Sequence, residues 1–434
     1  MSRTLTRYGP GRQGTFLSVL RFCGDLSAIL PWMRIAPRLL LVLLGLLVPL
    51  AAARAEEERP HILERLPADK LAGMGPLLRN TDIALIESNP DGMMRQVTIL
   101  SWVPASPQVV HDVVADFEHY PSFLRNMTRV AVTHNPDGTV DQEWVIDILV
   151  SRFSGHNRHF FRPDGAIDVE AFGPTERNRY RWEFHPAVGG GTVMVMYGFV
   201  DVIHSNSIIR SIVARIPQME HGLGLSAQLV YVRGFHQRAL QLAGAAPPSP
   251  PPGKTPSLDF LLDRGRVAVI RSLPSGRLEG ISILDRVMAP RPKLEGAVLD
   301  GGHYASFIDG ITQSYETARS DHEVSYRTVF SMPLISWETR WAAQRDGRGA
   351  VDILATDGDL KGTYLRWDLT PITMGVTGGP PRTLAVLRAR LDLAAASLIL
   401  RTLFQKEPLF EHGMSVAFAL VMMNGARAHA EGRK

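Results

Sequence analysis

Two stretches of the chain carry the same succession of apolar and polar positions. Residues 82–124 and 266–308 align without a gap, and about fifteen of roughly forty positions are identical, more self-similarity than chance supplies. In each copy a short apolar run, Ile83–Ser88 or Val267–Ser272, leads into a turn, Pro90-Asp91-Gly92 or Pro274-Ser275-Gly276. A second run follows, Val97–Val103 or Ile281–Val287. Such runs, bounded by Pro, Asp, Ser and Gly, predict a strand pair. Pro107 in one copy and Pro290 and Pro292 in the other open a helix, with Val109, Val110, Val113 and Val114 at helical spacing. A short aromatic segment closes it, His119-Tyr120-Pro121-Ser122-Phe123 or His303-Tyr304-Ala305-Ser306-Phe307. Alternating runs continue to about residues 202 and 393, and helical stretches over 206–242 and 394–430 end the copies. One strand pair, a helix, many antiparallel strands and a long last helix make an α+β layout.

Comparing the copies fixes the inward side of several strands. Arg388, Arg390 and Asp392 must face water, so Thr383, Ala385, Leu387, Ala389, Leu391 and Leu393 face in. The matching row in the first copy is Thr192, Met194, Met196, Gly198, Val200 and Val202. Arg181 and Glu183 point out, which leaves Tyr180, Trp182 and Phe184 inside; Arg366 and Asp368 likewise leave Leu365, Trp367 and Leu369. Earlier strands contribute Trp144, Ile146 and Ile148, and Tyr326, Thr328 and Phe330. Rows of Trp, Met and aliphatic residues suit a flat or flexible apolar ligand. The plain alternative is that they fill a core.

Two polar patterns recur. Asp116 with His119, and Asp300 with His303, could perform acid–base chemistry or simply fix a turn. Glu220-His221-Gly222 and Glu411-His412-Gly413 each follow a proline at the start of the last helix, with Arg210 and Arg401 upstream. Buried together, these groups could orient a ligand at a cavity mouth; the alternative is an ion pair between helices. No nucleophile motif or phosphate loop is present, and His156 and His159 occur in one copy only, so neither a metal nor a cofactor is expected.

The chain has 434 residues, 45% hydrophobic and 21% charged, with a diffuse net charge of +4. Its body shows no basic cluster interleaved with aromatics, which argues against a nucleic-acid partner. Arg34 and Arg38 precede a leucine-rich run and Ala53-Arg54-Ala55, the pattern of a cleavable export signal over residues 1–55, with Met33 as the expected start. The single cysteine, Cys23, falls in that leader, so the mature chain has no disulfide and no thiolate. These features predict a periplasmic protein. Residues 245–254, rich in proline, predict a linker between domains 56–244 and 255–434.

The stretch V-P-A-S-P-x-x-V-x-x-V-V-x-D-F-E-H-Y-P-S-F-L at 103–124 resembles the opening of the START-like, or SRPBCC, superfamily, on its polyketide cyclase and coenzyme-Q-binding branch. The second copy matches more loosely, with Gly301 and Ala305 in place of Phe117 and Pro121. The resemblance implies two tandem helix-grip domains, each a curved antiparallel sheet wrapped around its C-terminal helix. It also implies a hydrophobic small-molecule partner of the lipid, quinone, sterol, hopanoid or polyketide class. The ligand-lining residues would be Trp144, Tyr180, Trp182, Phe184, Met194, Met196, Gly198 and Val200 in one domain. In the other they would be Tyr326, Phe330, Trp367, Leu369, Leu387 and Leu391. Arg210, Glu220, His221, Arg401, Glu411 and His412 would orient the ligand. No catalytic residue is assigned: the reading is carriage, with the apolar segment 393–404 expected to be buried against the sheet and transient membrane contact through it, as a docking lid, the alternative. A cyclase, aromatase or hydrolase and a ligand-free scaffold are the alternatives.

Overall fold

The computed structural model describes residues 63–148, 151–204, 207–244, 256–333, 335–372, 381–393 and 398–433. The expected export signal and proline-rich linker lie outside the described residues. The first half contains strands β1 (Thr81–Ser88), β2 (Met94–Val103), β3 (Met127–His134), β4 (Val140–Ile148), β5 (Ser151–Phe161), β6 (Ile167–Phe172), β7 (Arg179–Pro186) and β8 (Thr192–Phe199). Helix α1 (Pro107–Ala115) follows β2, and α2 (Ser207–Arg215) and α3 (Gln218–Ala243) follow β8. The second half repeats this order with β9 (Arg266–Ser272), β10 (Leu278–Val287), α4 (Arg291–Leu299), β11 (Ile311–Arg319), β12 (Glu323–Met332) and β13 (Ile335–Arg345). It ends with β14 (Ala350–Gly358), β15 (Tyr364–Ile372), β16 (Arg382–Arg390), α5 (Leu398–Lys406) and α6 (Leu409–Ala430).

Local chemistry explains the boundaries. Gly92 and Gly276 adopt φ of 88° and 82° at the tips of the first hairpins, a conformation that favours glycine. Ser106 caps α1 by accepting from Val109 N, and Pro107 fills the first position, where no N–H is needed. Each long helical stretch expected from sequence is two helices, broken before Pro217 and Pro408, because proline cannot donate to the preceding turn.

All pairings are antiparallel, and α3 packs on β2 and α1 while α6 packs on β10 and α4. Each half is therefore the expected helix-grip domain. The halves also share one sixteen-stranded sheet, ordered β11-β12-β13-β14-β15-β16-β10-β9-β1-β2-β8-β7-β6-β5-β4-β3. The join is β1 against β9, with Ala84 opposite Ala268. These two alanines occupy the same position in the repeat, so the join is isologous: a pseudo-two-fold axis runs through it. Helices α3 and α6 cross on the same axis, where a Cβ on Gly222 would lie 2.5 Å from the Gly413 carbonyl oxygen.

A second, smaller core explains an ambiguity in the sequence. Leu71, Met74, Leu78 and Leu261 cover the outer face of the central strands and bury Leu85, Leu100, Val193, Val195, Tyr197 and Val267. The first copy's β8 is thus apolar on both faces, whereas Arg388 and Arg390 on β16 meet solvent. Glu183, expected to face water, is instead roofed over on this outer side. It accepts from Arg181 Nε at 2.7 Å, Arg65 Nε at 2.5 Å and the Tyr197 hydroxyl at 3.2 Å.

Candidate functional site

The second domain encloses a small apolar void of about 20 Å³ between its sheet and α6. Its walls are ring pairs. Phe330 stacks on Trp337 at 5.4 Å between centroids, and Tyr326 on Trp341 at 6.5 Å, with interplanar angles of 17° and 20°. Tyr304 sits edge-on to Tyr326, and its hydroxyl donates to the Val298 carbonyl. Phe418, Val421 and Met422 on α6 close the opposite side. Burial raises the Tyr326 and Tyr304 phenols far above their ordinary range, so both stay neutral.

Two polar atoms on this lining lack partners. The Trp337 indole N–H and the Thr339 hydroxyl are buried without a hydrogen bond, on residues 3% and 2% exposed. Their neighbours are satisfied: the Trp341 indole N–H donates to the Thr328 hydroxyl oxygen at 2.9 Å. A buried polar group without a partner is uncommon and asks for a reason.

The corresponding space in the first domain is filled differently. Phe235 on α3 lies edge-on against Trp182 at 5.0 Å, with Tyr120 at 5.2 Å and Tyr231 at 6.1 Å from the same ring. At the same distance from the Glu-His-Gly triplet, α6 carries Ala426. Strand register places Gln142, Trp144, Gly155 and Asn157 where the second domain has Tyr326, Thr328, Thr339 and Trp341.

The inward rows read from sequence do face the interiors. Trp144, Trp182, Met194, Met196 and Val200 are buried in the first domain, with Tyr180 and Phe184 partly buried against them. Gly198 faces in as well, roofed by Gln228. In the second domain Tyr326 and Phe330 line the void, whereas Trp367, Leu369, Leu387 and Leu391 are buried in the core around it. The side chain of Ile148 lies outside the described ones. Trp337, Thr339, Trp341 and the α6 face were missed. The strand Ile335–Arg345 held a usable signal, since Glu338 and Arg340 alternate with Trp337, Thr339 and Trp341.

The recurring polar motifs belong elsewhere. Glu220 and His221, and Glu411 and His412, do not line the enclosed void; they sit at the α3–α6 crossing. His221 Nε2 meets the Ser88 hydroxyl at 3.0 Å, and His412 Nε2 meets that of Ser272 at 3.0 Å, the same contact in both copies. The His412 Nδ1–H donates to the Pro408 carbonyl, so its Nε2 accepts from Ser272. Glu220 accepts from the backbone N–H of Met94 at 2.7 Å, and Glu411 from that of Leu278. Burial holds His221 down at about 3 and His412 at about 4. Arg210 and Arg401 are exposed rather than buried with these pairs.

The Asp–His pairs are surface turns. His119 Nδ1 meets Asp116 at 2.5 Å and His303 Nδ1 meets Asp300 at 2.7 Å, with the imidazoles 67% and 77% exposed. His119→Ala and His303→Ala should therefore leave ligand uptake and melting temperature unchanged, which thermal melts of the two variants would check. Among the described residues, no carboxylate or imidazole lines the enclosed void.

A curved antiparallel sheet gripping a C-terminal helix, twice over, defines a tandem helix-grip protein. Residues 103–201 match the family described as polyketide cyclase / dehydrase and lipid transport. That match lies within the first half, and the second half repeats its order of elements. No curated protein matches the chain. Among solved structures, TTHA0849 from Thermus thermophilus is 17% identical, covering 34% of this chain and 99% of its own, with a TM-score of 0.29. The di-domain aromatase/cyclase StfQ of the steffimycin biosynthetic pathway is 13% identical, covering 77% and 98%, at 0.28. The STAR-related lipid transfer protein from Xanthomonas axonopodis is 13% identical, covering 34% and 93%, at 0.26.

Proposed function

We propose that the second domain takes up a flat, apolar small molecule carrying one hydrogen-bonding group, and that the protein carries it in the periplasm. The observation that supports this reading is the enclosed aromatic void with the unpartnered Trp337 N–H and Thr339 hydroxyl on its wall. A ligand carbonyl or hydroxyl would satisfy both. At about 20 Å³ the void holds no more than a water molecule, so uptake requires Phe418 and Met422 to swing aside. Met422 is flexible enough to do so, and the Pro408 break separates α5 from α6. A ligand burying roughly 250 Å² of apolar surface would gain about 6 kcal/mol. Carriage is preferred to catalysis because the lining offers no group able to move a proton at neutral pH: its tyrosines are held neutral and it has no carboxylate or imidazole. Leu398, 74% exposed at the start of α5, supports transient contact with a membrane surface.

Unsubstituted flavone, added to the mature full-length chain, should quench its tryptophan fluorescence saturably. Phe418→Ala, which copies Ala227 at the matching place in α3, should tighten binding severalfold. Thr339→Phe, which fills the void, should weaken it at least tenfold. Equal affinity in all three proteins would remove the second domain as the binding site.

A further inference from the structure

Each long helix begins on the far side of the seam. α3 and α6 meet at Gly222 and Gly413, close to their N-termini. The elbow that joins α2 to α3 lies one to two turns ahead of Gly222, about 9 Å of helix, so it reaches past the axis and lands on the second domain. Ile216 is its pivot. The Ile216 N–H closes α2 on the Ile212 carbonyl at 2.9 Å, and the Ile216 carbonyl accepts from the Met219 N–H at 3.0 Å. Its side chain is fully buried.

What Ile216 touches belongs to the other half. A Cβ on Gly310 would lie 2.7 Å from Ile216 Cδ1 and 2.5 Å from the Phe330 ring, so both side chains close on that one point. Gly310 holds a φ of 84° in the turn before β11, between Ile308 and Ile311, which line the enclosed void. Beside it, Gln218 Nε2 donates to Asp309 Oδ2 at 3.4 Å. Phe330 is thus held on three sides. It stacks on Trp337, lies 6.3 Å between centroids from Phe418 of α6, and has Ile216 across the space that Gly310 leaves bare.

The repeat makes the same reach in the other direction with different chemistry. Glu407 matches Ile216, and Asn126 matches Gly310. Glu407 is 2% exposed and accepts from Asn126 Nδ2 at 2.5 Å, with Asn126 at a φ of 66°. There a polar pair fixes the second domain's elbow to a backbone turn of the first. The first domain's elbow makes an apolar contact instead, and it presses on a ring of the void wall.

We infer that the first domain latches the second domain's site: Ile216 holds Phe330 against Trp337, and the void opens when the α2–α3 elbow withdraws. Ile216 is a positioning residue that acts through Phe330. The order of events follows from packing. A close-packed interior gives a ring no path to move, so Phe418 cannot swing aside while Phe330 is wedged. Phe330 needs space on its Gly310 side, and Ile216 occupies it. The inference rests on the reading that the second domain opens to an apolar ligand, and it gives the first domain a part in that opening.

The mature full-length chain labelled with ¹⁵N-tryptophan tests the latch without any ligand. The Trp337 indole N–H is buried and unbonded, so it exchanges with deuterated solvent when the void opens. Trp102, whose indole donates to the Gly190 carbonyl at 3.1 Å beneath the smaller core, is the reference for global loosening. The two signals are assigned with Trp337→Phe and Trp102→Phe. Ile216→Ala should speed exchange at Trp337 at least tenfold and leave Trp102 within twofold. Gln218→Glu, nearly isosteric, sets a second carboxylate against Asp309 and should speed Trp337 at least threefold at pH 8; it keeps the test valid if Ile216→Ala unfolds. Equal acceleration at both tryptophans would mean that the elbow only stabilises the fold. No acceleration at Trp337 in either variant would mean that it does not hold Phe330. Either result overturns the inference. Stopped-flow binding of flavone is the second arm. A latch predicts that association and dissociation both quicken in Ile216→Ala, with affinity within threefold of wild type. Faster dissociation alone would make Ile216 a ligand contact and overturn the latch. If flavone leaves the Trp337 signal unmoved, the second-domain binding reading fails, and the exchange rates still decide the latch.

Discussion

Acidification from pH 7 to pH 5 should destabilise this protein by several kcal/mol, well before the ion-paired Asp141 and Glu183 protonate. Among the described residues three imidazoles are buried, His159 and His221, each held at about 3, and His412, held at about 4, and desolvation lowers His236 as well. Desolvation dominates each shift, assisted at His221 by the Arg266 charge and opposed at His159 by Asp141. Because the folded values lie below the ordinary 6.5, their contribution is complete above pH 6.5 and is lost as pH falls toward the folded values. At pH 5 the unfolded chain is protonated at all three positions and the native state at none, which costs about 2 kcal/mol per imidazole and about 6 kcal/mol together. That sum rivals the whole stability of an ordinary domain, about 5–15 kcal/mol. Glu87, Glu407 and Glu411 work the other way: burial raises each above 4.5, so each gains relative stability as pH falls and offsets part of the loss. Below about pH 4.5 Glu183 adds to the loss. Its burial is outweighed by hydrogen bonds from His185 and Arg181 and by the Arg65 charge, which together hold it at about 2. Urea midpoints measured between pH 7 and pH 5 should fall steeply, and His221→Gln should flatten the slope. A flat profile in the wild-type chain would mean that these imidazoles are solvated.

The sequence made some of this visible and hid the rest for identifiable reasons. The duplication exposed the element order, and charged residues on β16 revealed the inner row of β8 that the first copy conceals. The concealment has a structural cause: β8 lies under a second core, so Val193, Val195 and Tyr197 are buried on the face where β16 carries arginines. The alternation on β13 was equally readable, and with it Trp337 and Trp341. The α6 lining was not, because Met414–Met423 is apolar all round and no polar stripe marks its outer face. The Glu-His-Gly triplets misled for another reason. Repetition in both copies signals a shared environment, and here that environment is the seam. A residue on or near a pseudo-two-fold axis meets its own counterpart, so it recurs in both copies whether or not any ligand is present. Repetition in the triplets reports the seam, and on the sheet faces it reports which side points inward.

That seam is where a single atom should do most harm. Gly413→Ala would place its Cβ 2.2 Å from the Gly222 carbonyl oxygen and 1.8 Å from the Ser226 hydroxyl. Ser226 can rotate away, giving up its 2.9 Å bond to the Gly222 carbonyl. The carbonyl is helix backbone and cannot move alone, so α3 and α6 must separate. Overpacking of this kind costs about 3 kcal/mol, with the upper end expected where backbone is the obstacle. The matching change Gly222→Ala meets Gly413 and Ala417 at 2.5 Å and should cost nearly as much. Gly296→Ala is the control: it lies within α4 with nothing inside 4 Å, and should stabilise by about 0.5–1 kcal/mol through helix propensity. The same geometry dictates how the damage spreads. β1 and β9 share their hydrogen bonds on the axis beneath the crossing, and His221 and His412 reach from the helices to Ser88 and Ser272 at the ends of those strands. Helices forced apart pull on both strands at once, so neither half can loosen alone. Urea unfolding of the wild-type chain should be a single transition with tryptophans of both halves as reporters, and Gly413→Ala should move that transition without splitting it. Two separate transitions in the wild-type protein would show that the seam does not couple the domains.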